Sequence, residues 1–159
     1  MPETVSATMT TLWKPAIKND NGIAVFQYPD GSLAEVSCNF VTFAAENSLE
    51  IFCEKGAIIL NYGDVPSASA VPHPANGLKW IKEGDTDWTY SEIPSPAVQW
   101  DRIAWQAEPL ADFLNGRHGP VATAAQSRDV LRMVLACYVS SEANSLRVSL
   151  NDERINKII

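Results

Sequence analysis

Ile23-Ala24-Val25-Phe26-Gln27-Tyr28, then Pro29-Asp30-Gly31, then Ser32 through Phe43 read as a strand, a tight turn and a return strand. The pattern recurs at once in Leu49-Glu50-Ile51-Phe52-Cys53, Glu54-Lys55-Gly56 and Ala57 to Asn61. Proline presets φ, glycine takes the backbone region closed to other residues, and β-branched and aromatic runs on either side supply strands. Two hairpins in succession commit the N-terminal half to antiparallel sheet.

Working outward, Val5 to Trp13 is rich in Thr and Val and reads as a strand, whose lead into Pro15 is compatible with an edge position. Asn19-Asp20-Asn21-Gly22 is a turn cluster that hands over to the first hairpin. Asn47-Ser48 breaks the chain before the second hairpin, and Gly63 to Asn76, with Pro66, Pro72 and Pro74, is loop. Leu78–Lys82 and Trp88–Ile93 form another strand pair across Gly84-Asp85, and Pro94-Ser95-Pro96 ends the β-rich part.

From about Trp100 the period changes. Ile103, Leu110, Phe113 and Leu114 fall on helical spacing, Pro109 kinks that helix or starts its well-formed part near Glu108, and Asn115-Gly116 stops it. A second helix runs from Thr123 to Ser141, with Thr123 as N-cap and Gln126 as the weaker capping-box partner. Its apolar arc, Val130, Leu131, Val134, Leu135, Tyr138 and their neighbours, covers most of the circumference, which predicts a largely buried helix. Leu146-Arg147-Val148-Ser149-Leu150 closes the chain as a strand. The expected fold is α+β: one domain over residues 1–159, a largely antiparallel open sheet with two helices on one face.

Ile23–Phe26, Ile58-Ile59-Leu60 and Val41-Thr42-Phe43 carry bulky groups on both parities, where a sheet with one wet face would alternate. Two helices cover one face, so the other needs a partner, most simply a second copy of the chain. A homodimer or higher homo-oligomer through the sheet face is expected.

Composition closes off several functions. At 159 residues, 46% hydrophobic and 19% charged, the chain is ordinary globular protein. A formal charge of −7 argues against a nucleic-acid groove, which needs clustered Lys and Arg. No apolar run spans a bilayer, Met1-Pro2-Glu3-Thr4-Val5 is no signal peptide, and Cys38, Cys53 and Cys137 form neither an even framework nor a C-x-x-C. A cytoplasmic protein is expected.

The segment from Asn19 through Pro29-Asp30-Gly31 to Val36, the hairpin Leu49 to Ile58, and Phe113-Leu114-Asn115-Gly116-Arg117 followed by the helix ending Tyr138-Val139-Ser140-Ser141 stand in one order at characteristic distances. In these motifs the chain resembles the C-terminal domain of the glucose–fructose oxidoreductase / inositol dehydrogenase / MocA (Gfo/Idh/MocA) family, over almost its whole length. Cys53 departs from the glycine usual there. The resemblance implies a domain that walls a substrate pocket and builds the oligomer in an NAD(P)-dependent sugar or polyol oxidoreductase. It also implies what is lacking. There is no Gly-rich dinucleotide loop, Lys55 is a hairpin residue and not the family's catalytic Lys, and neither His73 nor His118 lies in the family's Asp/His context. No catalytic, cofactor-binding or metal-binding residue is assigned. NAD(P) is expected for a complete enzyme, with a Rossmann domain in cis or in trans, and not for this chain alone.

Residue by residue, bland readings are favoured. His73 and His118 read as loop histidines, and the three cysteines as inert core thiols. Asp85, Asp87, Glu92, Asp101, Glu108 and Asp112 read as turn and helix-surface charge, although paired acids could serve a glycosidase. The aromatic set Trp80, Trp88, Tyr90, Trp100 and Trp105 is the sharper feature, since rings stack on sugars. The competing account pairs Trp80 with Trp88 across strands and seats the first helix with Trp100 and Trp105. Trp80, Trp88, Tyr90 and His73 are the candidate substrate contacts, and a stand-alone carbohydrate-binding module is the alternative function.

Overall fold

The computed structural model describes residues 1–13, 18–41, 48–61, 77–93 and 99–157. The end of the expected strand Ser32–Phe43, the Pro-rich stretch 63–76 with His73, and Pro94-Ser95-Pro96 fall outside these residues. The chain groups into two compact units, Met1–Val41 with Ala122–Ile159, and Thr42–Val121. The class is α+β, with antiparallel pairing throughout the described strands. Their hydrogen bonds divide into two four-stranded sheets, one in each unit.

In the first unit β1 (Thr4–Thr10), β2 (Asn21–Gln27) and β3 (Leu33–Asn39) form a meander, and a short β8 (Val148–Ser149) pairs with the start of β1. Register puts Val5 opposite Phe26 and Val148, and Ala7 opposite Ala24, so one face carries apolar rows. Helix α3 (Ala124–Glu142) packs on it. Ala136, Val139, Leu150 and Ile155 complete the core. Small side chains at Ala7, Ala24 and Ala136 let the helix backbone approach the sheet closely. β8 ends after two pairs, and the serines of α3 take over the exposed β1 edge. Ala7 N–H donates to Ser140 Oγ (2.8 Å) and Met9 N–H to Ser141 Oγ (3.0 Å). Ser140, fully buried, donates its hydroxyl hydrogen bond to the Leu146 carbonyl (2.7 Å).

Several boundaries differ from the sequence reading for local reasons. β1 stops at Thr10 because the carboxylate of Asp20, 2% exposed, takes the N–H groups of Leu12 (2.8 Å) and Trp13 (2.9 Å) and peels the chain away. β3 starts after Ser32, whose N–H and hydroxyl both serve Asp30 Oδ1 in the turn at Gly31 (φ 87°). The helix expected from Trp100 to Leu114 is two helices, α1 (Gln99–Trp105) and α2 (Ala107–Leu114). Pro109 sits in the first turn of α2, where an N–H has no intrahelical partner, so the break falls at Gln106. α3 is not mostly buried: Ala136, Val139 and Ser140 are, while Val130, Leu131 and Val134 are exposed on the opposite side. Its N-terminus is as read, with a complete capping box between Thr123 and Gln126. Of the helices, α3 packs on the first sheet, whereas α1 packs against α2.

In the second unit β4 (Ser48–Cys53), β5 (Gly56–Asn61), β6 (Gly77–Lys82) and β7 (Thr89–Tyr90) form a second meander. Glu54-Lys55 turns β4 into β5, and Gly56 is needed there because a Cβ would run into the Ile81 carbonyl oxygen. Asp85 Oδ2 holds the β6–β7 turn through Lys82 N–H (2.9 Å), with Gly84 at φ 92°. β7 is shorter than the expected Trp88–Ile93. Among this unit's described residues none is buried, in contrast to the first unit. No described helix is long and apolar enough to cross a membrane.

Candidate functional site

Register in the second sheet assigns its side chains to two faces, which differ in where their charges fall. Ile51, Ile58, Trp80 and Thr89 form one row, and Leu49, Leu60 and Leu78 a neighbouring row on the same face. Leu49 (55% exposed), Ile51 (43%) and Ile58 (43%) face solvent, and Leu60, Leu78 and Trp80 are half-buried. Six large apolar residues in contiguous rows make a patch of the kind that marks an interaction surface. The opposite face carries the row Glu50, Ile59, Lys79 and Tyr90 beside a shorter apolar row of Phe52, Ala57 and Ile81, so it mixes charge with apolar groups. There the Lys79 ammonium lies over the Trp88 ring, 4.6 Å from its centroid, a cation–π pair that fills one side of the indole.

The aromatic set is therefore divided. Trp80 pairs with Thr89, not with Trp88, and belongs to the apolar face. Trp88 lies beside Lys79 and Tyr90 on the other face, so the three rings form no common platform. Trp100 (77% exposed) and Trp105 do not seat the first helix in a core; both are exposed. His73 lies outside the described residues, and His118 is exposed.

The carboxylates are occupied as turn-makers. Besides Asp85, Asp87 Oδ1 accepts the N–H of Trp88 (2.7 Å), and Asp112 meets Arg117 at 3.1 Å. The hydrogen bonds from Ser32 hold the Asp30 carboxyl below its usual range. Hydrogen bonds from the Arg154 side chain first and from its backbone N–H second lower Asp152 to about 2. Asp101 and Glu108 lie in the first turns of α1 and α2, where a negative charge complements the helix dipole. The cysteine reading is corrected for two residues: Cys38 and Cys53 are exposed, because each stands on an edge strand that nothing covers among the described residues. Cys137 is half-buried, burial pushes its thiol up, and its Sγ donates to the Met133 carbonyl. No group of His, Cys, Asp and Glu that could hold a metal occurs among the described residues.

Among the described residues no glycine turn leads from a strand into a helix. A pyrophosphate seat needs a glycine turn between a strand and a free helix N-terminus. Gly31, Gly56 and Gly84 all lie at strand-to-strand turns, and Gly116 follows the end of α2. At the start of α3, the Gln126 N–H is already taken by Thr123 Oγ1 (3.2 Å).

Comparison with known proteins accounts for this combination. Residues 1–59, from β1 into β5, match the family model described as the GFO/IDH/MocA C-terminal domain. The resemblance to this domain holds. Levoglucosan dehydrogenase in complex with NADH superposes with a TM-score of 0.72 at 16% identity, over 95% of this chain and 45% of that one. The WlbA dehydrogenase of Bordetella pertussis, in complex with NADH and UDP-GlcNAcA, gives 0.61 at 18% identity, over 96% of this chain and 40% of that one. An oxidoreductase from Pseudomonas syringae gives 0.64 at 12% identity, over 94% and 46%. The chain thus spans less than half the length of these structures. No curated protein matches it.

Two functional features escape the sequence reading. The Ser140-Ser141 latch has a signal, two small polar residues closing an apolar helix, but its target on β1 is a tertiary fact. The buried Asp20 had the signal of a turn and nothing that marked its side chain as buried.

Proposed function

We propose that this chain is the substrate-wall and assembly part of an NAD(P)-dependent sugar or polyol oxidoreductase, not catalytic alone, completed by a Rossmann domain in cis or in trans. One observation carries the reading: the fold likeness runs over 95% of this chain and only 45% of an NADH-bound dehydrogenase. The sugar or polyol substrate class is brought over from that same relative, levoglucosan dehydrogenase, with L-sorbose bound. Assembly is assigned to the apolar face of the second sheet, with a second copy of the chain as occupant. Solvent-facing Leu49, Ile51 and Ile58 in contiguous rows supply the driving force. With Trp80 on that face, Trp88 and Tyr90 are left for substrate contact, and His73 is a candidate from the sequence alone.

Two measurements test the two halves separately. Fluorescence titration of NADH and NADPH into the isolated chain is expected to show no saturable binding; tight binding by this chain alone refutes the division of labour. Light scattering is expected to find a dimer or larger particle, reduced to a monomer by Ile51→Lys with Ile58→Lys at unchanged far-UV circular dichroism. A monomeric parent refutes the assembly face and leaves the division of labour standing.

A further inference from the structure

The C-terminal end of α2 carries an Asn-Gly pair that the proposed function does not use. Asn-Gly is the dipeptide most open to succinimide chemistry, because glycine leaves the following nitrogen unshielded. In that reaction the Gly116 nitrogen gives up its proton and bonds to Asn115 Cγ. The Cγ–Nδ2 bond breaks, and the side-chain nitrogen leaves as ammonia with that proton. Water then opens one of the two imide C–N bonds, giving aspartate or isoaspartate with no change of oxidation state.

We infer that Asn115-Gly116 is a modification site held shut by the folded end of α2. Each reacting group is engaged elsewhere. Asn115 Nδ2 donates to the Ala111 carbonyl (2.8 Å), and its backbone N–H goes to the same oxygen (3.0 Å). The Gly116 nitrogen, which must attack, donates to the Phe113 carbonyl (3.0 Å). Asn115 stands at ψ 5°, which turns the Gly116 nitrogen toward the nitrogen of Asn115 and away from its Cβ, so the five-membered ring cannot close. The next link, Arg117 N–H to the Asp112 carbonyl (2.9 Å), fixes Gly116 at φ 70°. Solvent is not the barrier, since Asn115 and Gly116 are both exposed. Reaction therefore requires the last turn of α2 to open, and its rate reports that opening.

The product keeps the site open. An aspartate or isoaspartate replaces the Nδ2 donor with a carboxylate, which places a negative charge beside the helix carbonyls and against the dipole. Isoaspartate also lengthens the backbone and removes the cap geometry. The conversion is one-way, and it makes the formal charge of −7 one unit more negative.

The test is peptide mass spectrometry of the full chain after incubation at mildly alkaline pH, native and in urea, following conversion of the Asn115 amide to acid. The native chain is expected to react at least about tenfold more slowly than the unfolded one. Ala111→Gly, an exposed helix-weakening change, is expected to raise the native rate about fivefold and leave the rate in urea unchanged. Should that variant fail to fold, Arg117→Ala, which removes the 3.1 Å ion pair to Asp112, must also speed the native reaction. Equal native and unfolded rates, or a native rate indifferent to the variants, overturn the inference.

Discussion

Replacing Ser140 by alanine removes one oxygen and orphans two backbone groups at once. The Ala7 N–H, 2.8 Å from Ser140 Oγ, loses its acceptor, and the Leu146 carbonyl, 2.7 Å away, loses its donor. Ser140 is fully buried, and Ala7 is 2% exposed, so water cannot substitute without opening the core. A buried polar group left unpaired costs about 1–3 kcal/mol. Two such groups, the carbonyl partly rescued by nearby loop solvent, put the loss at about 2–4 kcal/mol, a large share of the about 5–15 kcal/mol that holds a domain together. With a urea slope of about 2 kcal/mol per M, the midpoint falls by about 1–2 M. The neighbouring Ser141→Ala is the control: it loses the 3.0 Å bond from Met9 N–H and a long 3.4 Å donation to the Met9 carbonyl, both at a half-buried site, and should cost about 1 kcal/mol. Far-UV circular dichroism during urea melts measures both, and amide exchange at Ala7 should lose protection in the first variant alone. If Ser140→Ala melts within about 0.5 kcal/mol of the parent, or costs less than Ser141→Ala, the latch does not hold the β1 edge and the reasoning fails.

Asp152, lowered to about 2 by the Arg154 side chain, is expected to stay ionised in the folded chain well below the ordinary aspartate range. Because its folded pKa is depressed, whatever it contributes to stability is complete above the unfolded value near about 4 and disappears as pH falls through about 2. Carboxyl-carbon NMR titration checks this: Arg154→Ala should return the midpoint toward 3.8, and an unmoved midpoint would contradict the assignment. Gly56→Ala places a Cβ against the Ile81 carbonyl oxygen, a backbone atom that can yield only by distorting the β5–β6 pairing. A loss of about 1–3 kcal/mol is expected, seen as an earlier transition in the fluorescence of Trp80 and Trp88; a neutral outcome would mean the turn has room that the register denies.

The turns were the legible part of the fold. Pro29-Asp30-Gly31 and Glu54-Lys55-Gly56 fix their own conformations, so both hairpins, and the strand pairing they impose, stand where the residues put them. Helix ends were legible for the same reason: Thr123 and Gln126 satisfy each other locally, and Pro109 acts through its own missing donor. Boundaries that depend on a distant group were not. Thr10 ends β1 because of Asp20, and nothing in Thr11-Leu12-Trp13 announces that a carboxylate will claim those amides.

The character of a sheet face is set across strands, not along one. Ile23-Ala24-Val25-Phe26 and Ile58-Ile59-Leu60 look alike in sequence, apolar on both parities. In the first sheet, Ile23 lies between Thr8 and Ser37 and Val25 between Ser6 and Glu35, so the outer face is polar rows with isolated aliphatics. In the second, Ile58 lies between Ile51 and Trp80 and Leu60 between Leu49 and Leu78, so the rows are apolar from strand to strand. A patch is a property of neighbours across hydrogen-bonded strands, and a single strand carries only one member of each row. The same run type therefore leaves one sheet with an ordinary wet side and gives the other an apolar face. That difference confines the proposed self-association to the second sheet: charges at Ile51 and Ile58 should abolish it, while charges at Ile23 and Val25 should leave the particle size unchanged.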